Sequence, residues 1–247
     1  MITSPHNEQL KEIRKLAGRK WRDKLREFVA EGEDLLEAAD AAGWEPLARL
    51  VADGSGLEGE EVAPHLLAQV SQLGSGTRAL AVYAQRWAPA PAGPLCLALW
   101  GVNDPGNVGT ALRGALAFGA SSVALGPGTA DPYGPKAVRA SMGALFDVPL
   151  AGVRAVHDLP GRKIALVAHG GAPLAAAGAT LRVGAEPLSS PGEDVTIVVG
   201  AERAGLAPDV VADCDAAATI PVAAESLNAA MAATVALYEC NRRMAAP

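Results

Sequence analysis

Residues 95–118, LCLALWGVNDPGNVGTALRGALAF, decide the fold class. Leu95 to Trp100 is apolar throughout and bounded by turn-forming residues, so it reads as a strand buried on both faces. Asp104-Pro105-Gly106 makes a tight turn. Asn107 is expected to cap a helix from Asn107 to Phe118, and Gly119 stops it. A buried strand turning straight into a helix is the first half of a parallel crossover unit.

Downstream the pattern repeats. Ser122 to Leu125, Lys163 to Ala168 and Val195 to Val199 read as further buried strands. Pro135 to Leu145 and Ser226 to Met244 read as helices. Gly170 to Gly192, rich in Ala, Gly and Pro, reads as loop with one poor helix. The sum is an α/β domain with a parallel sheet covered on both faces. Upstream, residues 88–94 (APAPAGP) cannot sit inside a regular element and form a linker. The expected domains are therefore 1–87, a linker at 88–94, and 95–247.

Residues 1–87 read as a small α/β unit. It has a basic helix over 7–20, a strand from Leu25 to Ala30 and a helix from Glu33 to Ala42 stopped by Gly43. A strand from Pro46 to Ala52, a helix from Glu60 to Leu73 with Pro64 in its first turn, and a strand from Leu80 to Ala84 complete it.

The formal net charge of −6 argues against broad phosphate binding. The charge is uneven, however. Lys11, Arg14, Lys15, Arg19, Lys20, Arg22, Lys24 and Arg26 fall within one short span, opposed there only by Glu12 and Asp23. Such a stripe suits RNA or an ordinary solvated helix face. Aromatics are 4% of the chain, so wide base-stacking surfaces are not advertised.

Cys96, Cys214 and Cys240 are scattered, with neither zinc spacing nor a disulfide pattern. No apolar run is long enough to span a bilayer and no leader is read at the N-terminus, so a cytoplasmic protein is expected. A GxGxxG fingerprint, a P-loop and a GxSxG elbow are all missing. His157-Asp158 reads as a surface turn. A parallel sheet still binds its ligand at the carboxyl ends of its strands, so the site is built another way.

Three segments stand at such strand ends. The first is Asn107 with Arg113 six residues on. The second is Gly200-Ala201-Glu202-Arg203-Ala204-Gly205-Leu206, where Gly200 would let a ligand approach the backbone. The third is Ile220-Pro221 followed by Ser226-Leu227-Asn228, where Ser226 could simply cap the last helix and Asn228 be a routine first-turn residue. Singly, each is an ordinary loop.

In order and spacing, the three resemble the signature motifs of SpoU/TrmH ribose methyltransferases: asparagine with arginine six residues later, Gly-x-Glu-x-x-Gly-Leu, and Ile-Pro followed by Ser-Leu-Asn. The resemblance covers about residues 95–243. Ser141-Met142-Gly143-Ala144, after Lys136 and Arg139, is similar to the family's middle segment. Phe28 to Leu36, with Glu31-Gly32 and Leu35-Leu36, is similar to the family's N-terminal substrate-binding domain, a small ribosomal-protein-type RNA-binding fold.

The resemblance implies a C-terminal SPOUT domain whose parallel sheet carries a deep trefoil knot. It implies S-adenosylmethionine held largely by backbone at Gly200, Ile220 and Leu227, catalytic positions Asn107, Arg113, Glu202, Ser226 and Asn228, and no metal. The implied reaction is methylation of a ribose 2′-hydroxyl in RNA, by a homodimer. Ribosomal RNA is expected ahead of transfer RNA, because the added N-terminal domain is similar to those of rRNA-modifying relatives. The family proposal has the arginine activate the hydroxyl. A guanidinium is a permanent cation, so we expect Arg113 to orient the ribose and stabilise the developing alkoxide. Ser226 and Asn228 would position substrate or the arginine, and Glu202 would hold Arg113 or a partner group. Two alternatives stand beside this reading: a non-catalytic RNA-binding SPOUT protein, and a Rossmann-type small-molecule enzyme.

Overall fold

The computed structural model describes residues 1–72, 76–177, 180–183, 186–187, 193–223 and 226–244. In chain order the first elements are α1 (Glu8–Leu16), α2 (Arg19–Leu25), β1 (Glu27–Glu31), α3 (Glu33–Ala41), β2 (Ala48–Ala52), β3 (Glu60–Val62), α4 (Pro64–Val70) and β4 (Ala79–Ala84). Then come β5 (Leu95–Leu99), α5 (Pro105–Ala117), β6 (Ser122–Leu125), α6 (Pro135–Ser141), α7 (Ala144–Asp147), β7 (Leu150–Gly152) and β8 (Arg162–Leu166). The chain continues through β9 (Ala172–Ala177), β10 (Thr180–Val183), β11 (Glu186–Pro187), β12 (Val195–Val199), α8 (Pro208–Ala212), β13 (Ala216–Thr219) and α9 (Ala229–Met244). Two compact units result, one of residues 1–85 with 131–147, the other of 86–130 with 148–247.

In the first unit the sheet order is β1-β4-β2-β3, with β4 antiparallel to both β1 and β2 and with β2 parallel to β3. Asn7 caps α1 by accepting from the Gln9 and Leu10 amides, and Leu10, Ile13 and Leu16 bury its apolar face. Each buried leucine of this kind contributes about 1.5–3 kcal/mol. The basic segment is two helices rather than one over 7–20, because Gly18 breaks it. Arg26 then turns the chain with a left-handed φ of 59°, so the strand begins at Glu27 rather than Leu25. The expected helix over 60–73 starts only at Pro64. Residues Glu60–Val62 pair with β2 as a strand, and Leu73 lies outside the described residues.

Five of the chain's ten aromatic residues form a second core of this unit, apart from the aliphatic one around Leu10, Ile13 and Leu66. Phe28, Trp44, Tyr83, Tyr133 and Phe146 are all buried, with ring centroids of contacting pairs 4.8 to 6.3 Å apart. Segment 131–147 supplies two of these rings. It is further held by the Trp44 indole N–H, which donates to the Phe146 carbonyl at 2.8 Å. Arg22 is buried and donates to Asp131 at 2.8 Å and to the Leu16 and Ala17 carbonyls. One member of the basic stripe is therefore a structural lock. The helix expected over 135–145 breaks at Met142 (φ 49°) and Gly143 (φ 93°), where a Cβ would meet the Ala38 methyl at 2.6 Å.

In the second unit the sheet order is β11-β10-β9-β13-β8-β12-β5-β6-β7. From β9 to β7 all neighbours are parallel, and β10 and β11 add antiparallel pairs at one edge. Strands β5 and β12, LCLAL and VTIVV, are buried at every position, as their mostly apolar composition required, and the polar Thr196 donates its hydroxyl to the Pro160 carbonyl. The loop reading of 170–192 is overturned. Hairpins β9–β10 and β10–β11 occupy it, with residues 178–179, 184–185 and 188–192 outside the described residues. The polar–apolar alternation of β10, TLRV, was legible and was missed, whereas the alanine-rich β9, APLAAA, carries no alternation to read. Strand β13 (AAAT) and helix α8 were unseen for the same lack of pattern. His157-Asp158 lies in an exposed turn, as expected. The Asp158 carboxylate accepts from the Arg154 and Ala155 amides, which holds its pKa below the usual value.

The thiol of Cys214 is half-buried and pushed up to about 11, by burial first and then by Asp215 and Asp213 beside it. Cys96 is buried and also raised by burial, and Cys240 is buried. At pH 8 such a shift leaves about a hundredfold less thiolate than an ordinary thiol carries. Iodoacetamide should therefore alkylate the native protein at least about tenfold more slowly than the urea-unfolded chain. Equal rates would mean that these thiols are open to solvent.

Candidate active site

Three adjacent parallel strands, β13, β8 and β12, end at one cavity of about 590 Å³. The chain leaving β8 contributes Leu166 to His169, that leaving β12 contributes Val199 to Leu206, and that leaving β13 contributes Ile220. The start of α9 closes the wall with Ser226, Leu227 and Ala229. This is the carboxyl edge where a parallel sheet places ligands, because the crossover loops open there. Apolar Leu166, Val199, Ile220 and Leu227 share the lining with Glu202, Arg203 and His169.

Gly200 shapes this wall, in a different manner from the expected one. A Cβ there would lie 2.3 Å from the Gly205 carbonyl carbon and 2.5 Å from the Leu206 nitrogen. Ala201 and Gly205 exchange two backbone hydrogen bonds, of 3.2 and 2.9 Å. The missing side chain thus makes room for the chain's own loop to fold back over the strand end.

A line of side-chain hydrogen bonds runs beside the cavity. The Asn107 amide donates to a Glu202 carboxylate oxygen, and the Asn228 amide donates to the Asn107 carbonyl oxygen at 2.9 Å. The Asn228 carbonyl oxygen accepts from the Ala230 and Met231 amides at 2.9 and 3.3 Å. Asn228, rather than Ser226, therefore caps α9, and its other end reaches α5. Helices α5 and α9 come close enough for this because Gly114 faces Thr234, whose hydroxyl would lie 2.8 Å from any Cβ. A bond to a carboxylate of this kind contributes about 1.5–3 kcal/mol.

Asn107 itself is not a cap. Asp104 caps α5 by accepting from the Gly106 amide at 2.7 Å, and Pro105 takes the first helical position, where no amide hydrogen is needed. Asn107 falls in the first turn with its side chain turned to Glu202.

The structure therefore joins Asn107, Glu202 and Asn228 by hydrogen bonds, and it places Gly200, Glu202, Ile220, Ser226 and Leu227 on the cavity. Arg113 stands apart. It is exposed, and its guanidinium has no hydrogen-bond or ion-pair partner among the described residues. The expected bond between Glu202 and Arg113 is absent among the described residues, and Asn107 occupies that carboxylate instead. His169 and Arg203 were missed from the sequence. Each follows directly on the exit from a buried parallel strand, and that position is the signal that would have found them. Among the described residues no cluster of His, Cys, Asp or Glu could hold a metal ion, and no helix is long and apolar enough to cross a membrane.

The family model described as SpoU rRNA Methylase family matches residues 94–238, and the MRM3-like substrate binding domain matches residues 7–89. The chain is 31% identical over 248 residues to the 23S rRNA (guanosine(2553)-2'-O)-methyltransferase RlmP of Bacillus subtilis, covering 96% of this chain and 97% of that protein. An AdoMet-bound rRNA methyltransferase from Sinorhizobium meliloti matches 100% of this chain and 98% of its own, with a TM-score of 0.80 at 29% identity. The SpoU methyltransferase AviRb from Streptomyces viridochromogenes, in complex with AdoMet, covers 98% of this chain and 100% of its own, with a TM-score of 0.80 at 25% identity. With one family model spanning the sheet, the cavity and most of the closing helix, the chain belongs to the SpoU rRNA methylase family.

Proposed function

We propose that this protein transfers the methyl group of S-adenosylmethionine to a ribose 2′-hydroxyl of ribosomal RNA. The observation that carries this reading is the strand-end cavity lined by Gly200, Glu202, Ile220, Ser226 and Leu227. Its size lies within the range of small-molecule sites. Its lining fits the cofactor. Leu166, Val199, Ile220 and Leu227 offer an apolar face for a purine, backbone from three strand exits offers polar groups, and Glu202 offers a carboxylate to a cationic ligand. The kinship with a named 23S rRNA 2′-O-methyltransferase and with AdoMet-bound structures supports the same reading.

When bound, the cofactor supplies an electrophilic methyl group on a sulfonium. The chain's own residues orient the acceptor. Asn107 and Asn228 fix one another and Glu202, so this wall is set before substrate arrives. Arg113, with no carboxylate holding it among the described residues, is left to meet the ribose and its phosphate. As a permanent cation it stabilises the alkoxide that forms as the hydroxyl loses its proton to water. The Ser226 hydroxyl, exposed at the mouth, is placed to hydrogen-bond the same nucleotide.

The same reading includes a division at residues 88–94 into an RNA-binding domain and a SPOUT domain, supported by the separate matches to 7–89 and 94–238. It includes a trefoil knot, in keeping with the late strand β13 lying between β8 and β9. It also includes a cytoplasmic homodimer. Met231, Val235 and Tyr238 on one face of α9 and Leu116 on α5 are exposed apolar residues that a second copy would cover.

The test is incubation with radiolabelled S-adenosylmethionine and separate pools of unmodified rRNA and tRNA. Label in alkali-resistant dinucleotides from the rRNA pool is the expected result. Label confined to tRNA would correct the substrate, and an absence of cofactor binding would end the proposal.

A further inference from the structure

We infer that the α1–α2 hairpin is an RNA-docking surface in which the Trp21 indole receives an unpaired base while Lys15, Lys20 and Lys24 hold the flanking phosphates. The inference rests on the reading of the protein as an RNA methyltransferase and adds where that RNA is gripped. Eight of the chain's 21 basic residues but only two of its 27 acidic ones fall in residues 11–26. The acids near this face are largely spent. Glu8 pairs with Lys11 at 2.7 Å, and Asp23 faces Arg19 at 3.6 Å. Lys15, Lys20 and Lys24 are exposed and form no ion pair among the described residues. Arg22 is committed to the core, so its charge does not belong to the surface.

Trp21 makes this more than a charged face. The other aromatic residues of this unit outside the α1–α2 hairpin are buried together, whereas Trp21 is only half-buried. The Lys15 and Lys24 ammonium groups lie 5.3 and 5.1 Å from its ring centroid. Both ammonium groups sit over this partly open ring, so a base stacks there by displacing a flexible lysine, which then reaches the flanking phosphate. On a chain of net charge −6, this concentrated positive face also steers a polyanion to one side of the unit. Release of condensed counterions on binding makes the contact salt-dependent.

The test measures binding of an unmodified large-subunit rRNA transcript from about 50 to about 300 mM KCl, the range in which counterion release is read. The variants are Lys15→Gln/Lys20→Gln/Lys24→Gln, Trp21→Ala and Trp21→Phe, each checked for a parental melting curve. The triple variant is expected to lower the salt slope by about two to three. Trp21→Ala is expected to weaken binding about tenfold with little change in slope, and Trp21→Phe to retain most of the affinity. A parental slope in the triple variant overturns the inference. So does a Trp21→Phe loss as large as that of Trp21→Ala, which would make the ring a packing element. Lysine-dependent binding to phosphatidylserine vesicles without binding to RNA overturns it as well. Methyl transfer by the parent protein is followed in parallel. Transfer with an unchanged slope removes the docking surface and leaves the enzyme. A reduced slope without transfer removes the enzyme and leaves the surface.

Discussion

An Arg113→Ala protein is expected to bind S-adenosylmethionine as the parent does and to transfer methyl at least about a hundredfold more slowly, the usual cost of losing a group that stabilises developing charge. The expectation follows from what Arg113 does not do. The Glu202 carboxylate is engaged by Asn107, and Arg113 does not line the cavity. Its removal therefore leaves both the hydrogen-bonded line and the cofactor wall in place. Calorimetry with the cofactor and single-turnover label transfer to rRNA separate the two quantities. A fall in cofactor affinity equal to the fall in rate would assign Arg113 to the cofactor instead. Asn228→Asp makes the complementary comparison. It keeps an acceptor for the Ala230 and Met231 amides but replaces the donor to Asn107 by a carboxylate oxygen facing the Asn107 carbonyl, so a rate loss without a loss of α9 stability assigns the effect to the Asn107 link rather than to the cap.

Gly200→Ala is the second large effect. The added methyl would sit 2.3 to 2.5 Å from three backbone atoms of Gly205 and Leu206, and backbone cannot swing aside as a long side chain does. The reciprocal bonds between Ala201 and Gly205 must open, and they hold the loop that carries Glu202 and Arg203 on the cavity wall. Overpacking of this kind costs about 1–3 kcal/mol, so Tm should fall by about 2–12 °C. Cofactor affinity should fall at least about tenfold, because the wall itself is displaced. A variant with the parental Tm and affinity would show that the loop has a second, equally good path. A normal Tm with lost affinity would point instead to the glycine facing the ligand directly, as its place in the sequence first implied.

How legible each part was follows from the residues that make it. Strands β5 and β12 could be read because Leu, Ile and Val runs have no other home. Strands β13 and β9 could not, because alanine and proline mark neither a face nor a period, while the short alternation of β10, TLRV, was there to read. Asp104 outcompeted Asn107 as the α5 cap because Pro105 fits the first helical turn, and the two possible caps lie only three residues apart. The members of the site could be named from motif order. Their connection could not: nothing in a spacing of 95 residues tells that Asn107 meets Glu202, or in one of 121 that it meets Asn228. That meeting depends on Gly114, which lets two helices touch, and a lone glycine in a helical pattern advertises only weakness.

Strand β13 gives this protein a particular order of birth. It is the parallel partner of both β8 and β9, and among the described strands β9 meets the main sheet through β13 alone. During synthesis the ribosome delivers β8, the hairpins and β12 before it delivers the strand that bridges them. Until then the hairpins have no place on the sheet, β8 keeps an open edge, and the Ile220 wall and the α9 cap do not exist. Without β13 and the segment after it, the Leu166–His169 and Val199–Leu206 walls would stand at the ends of β8 and β12 but the Ile220, Ser226 and Leu227 side of the cavity would be missing, so the cavity closes only when a late strand joins strands made earlier.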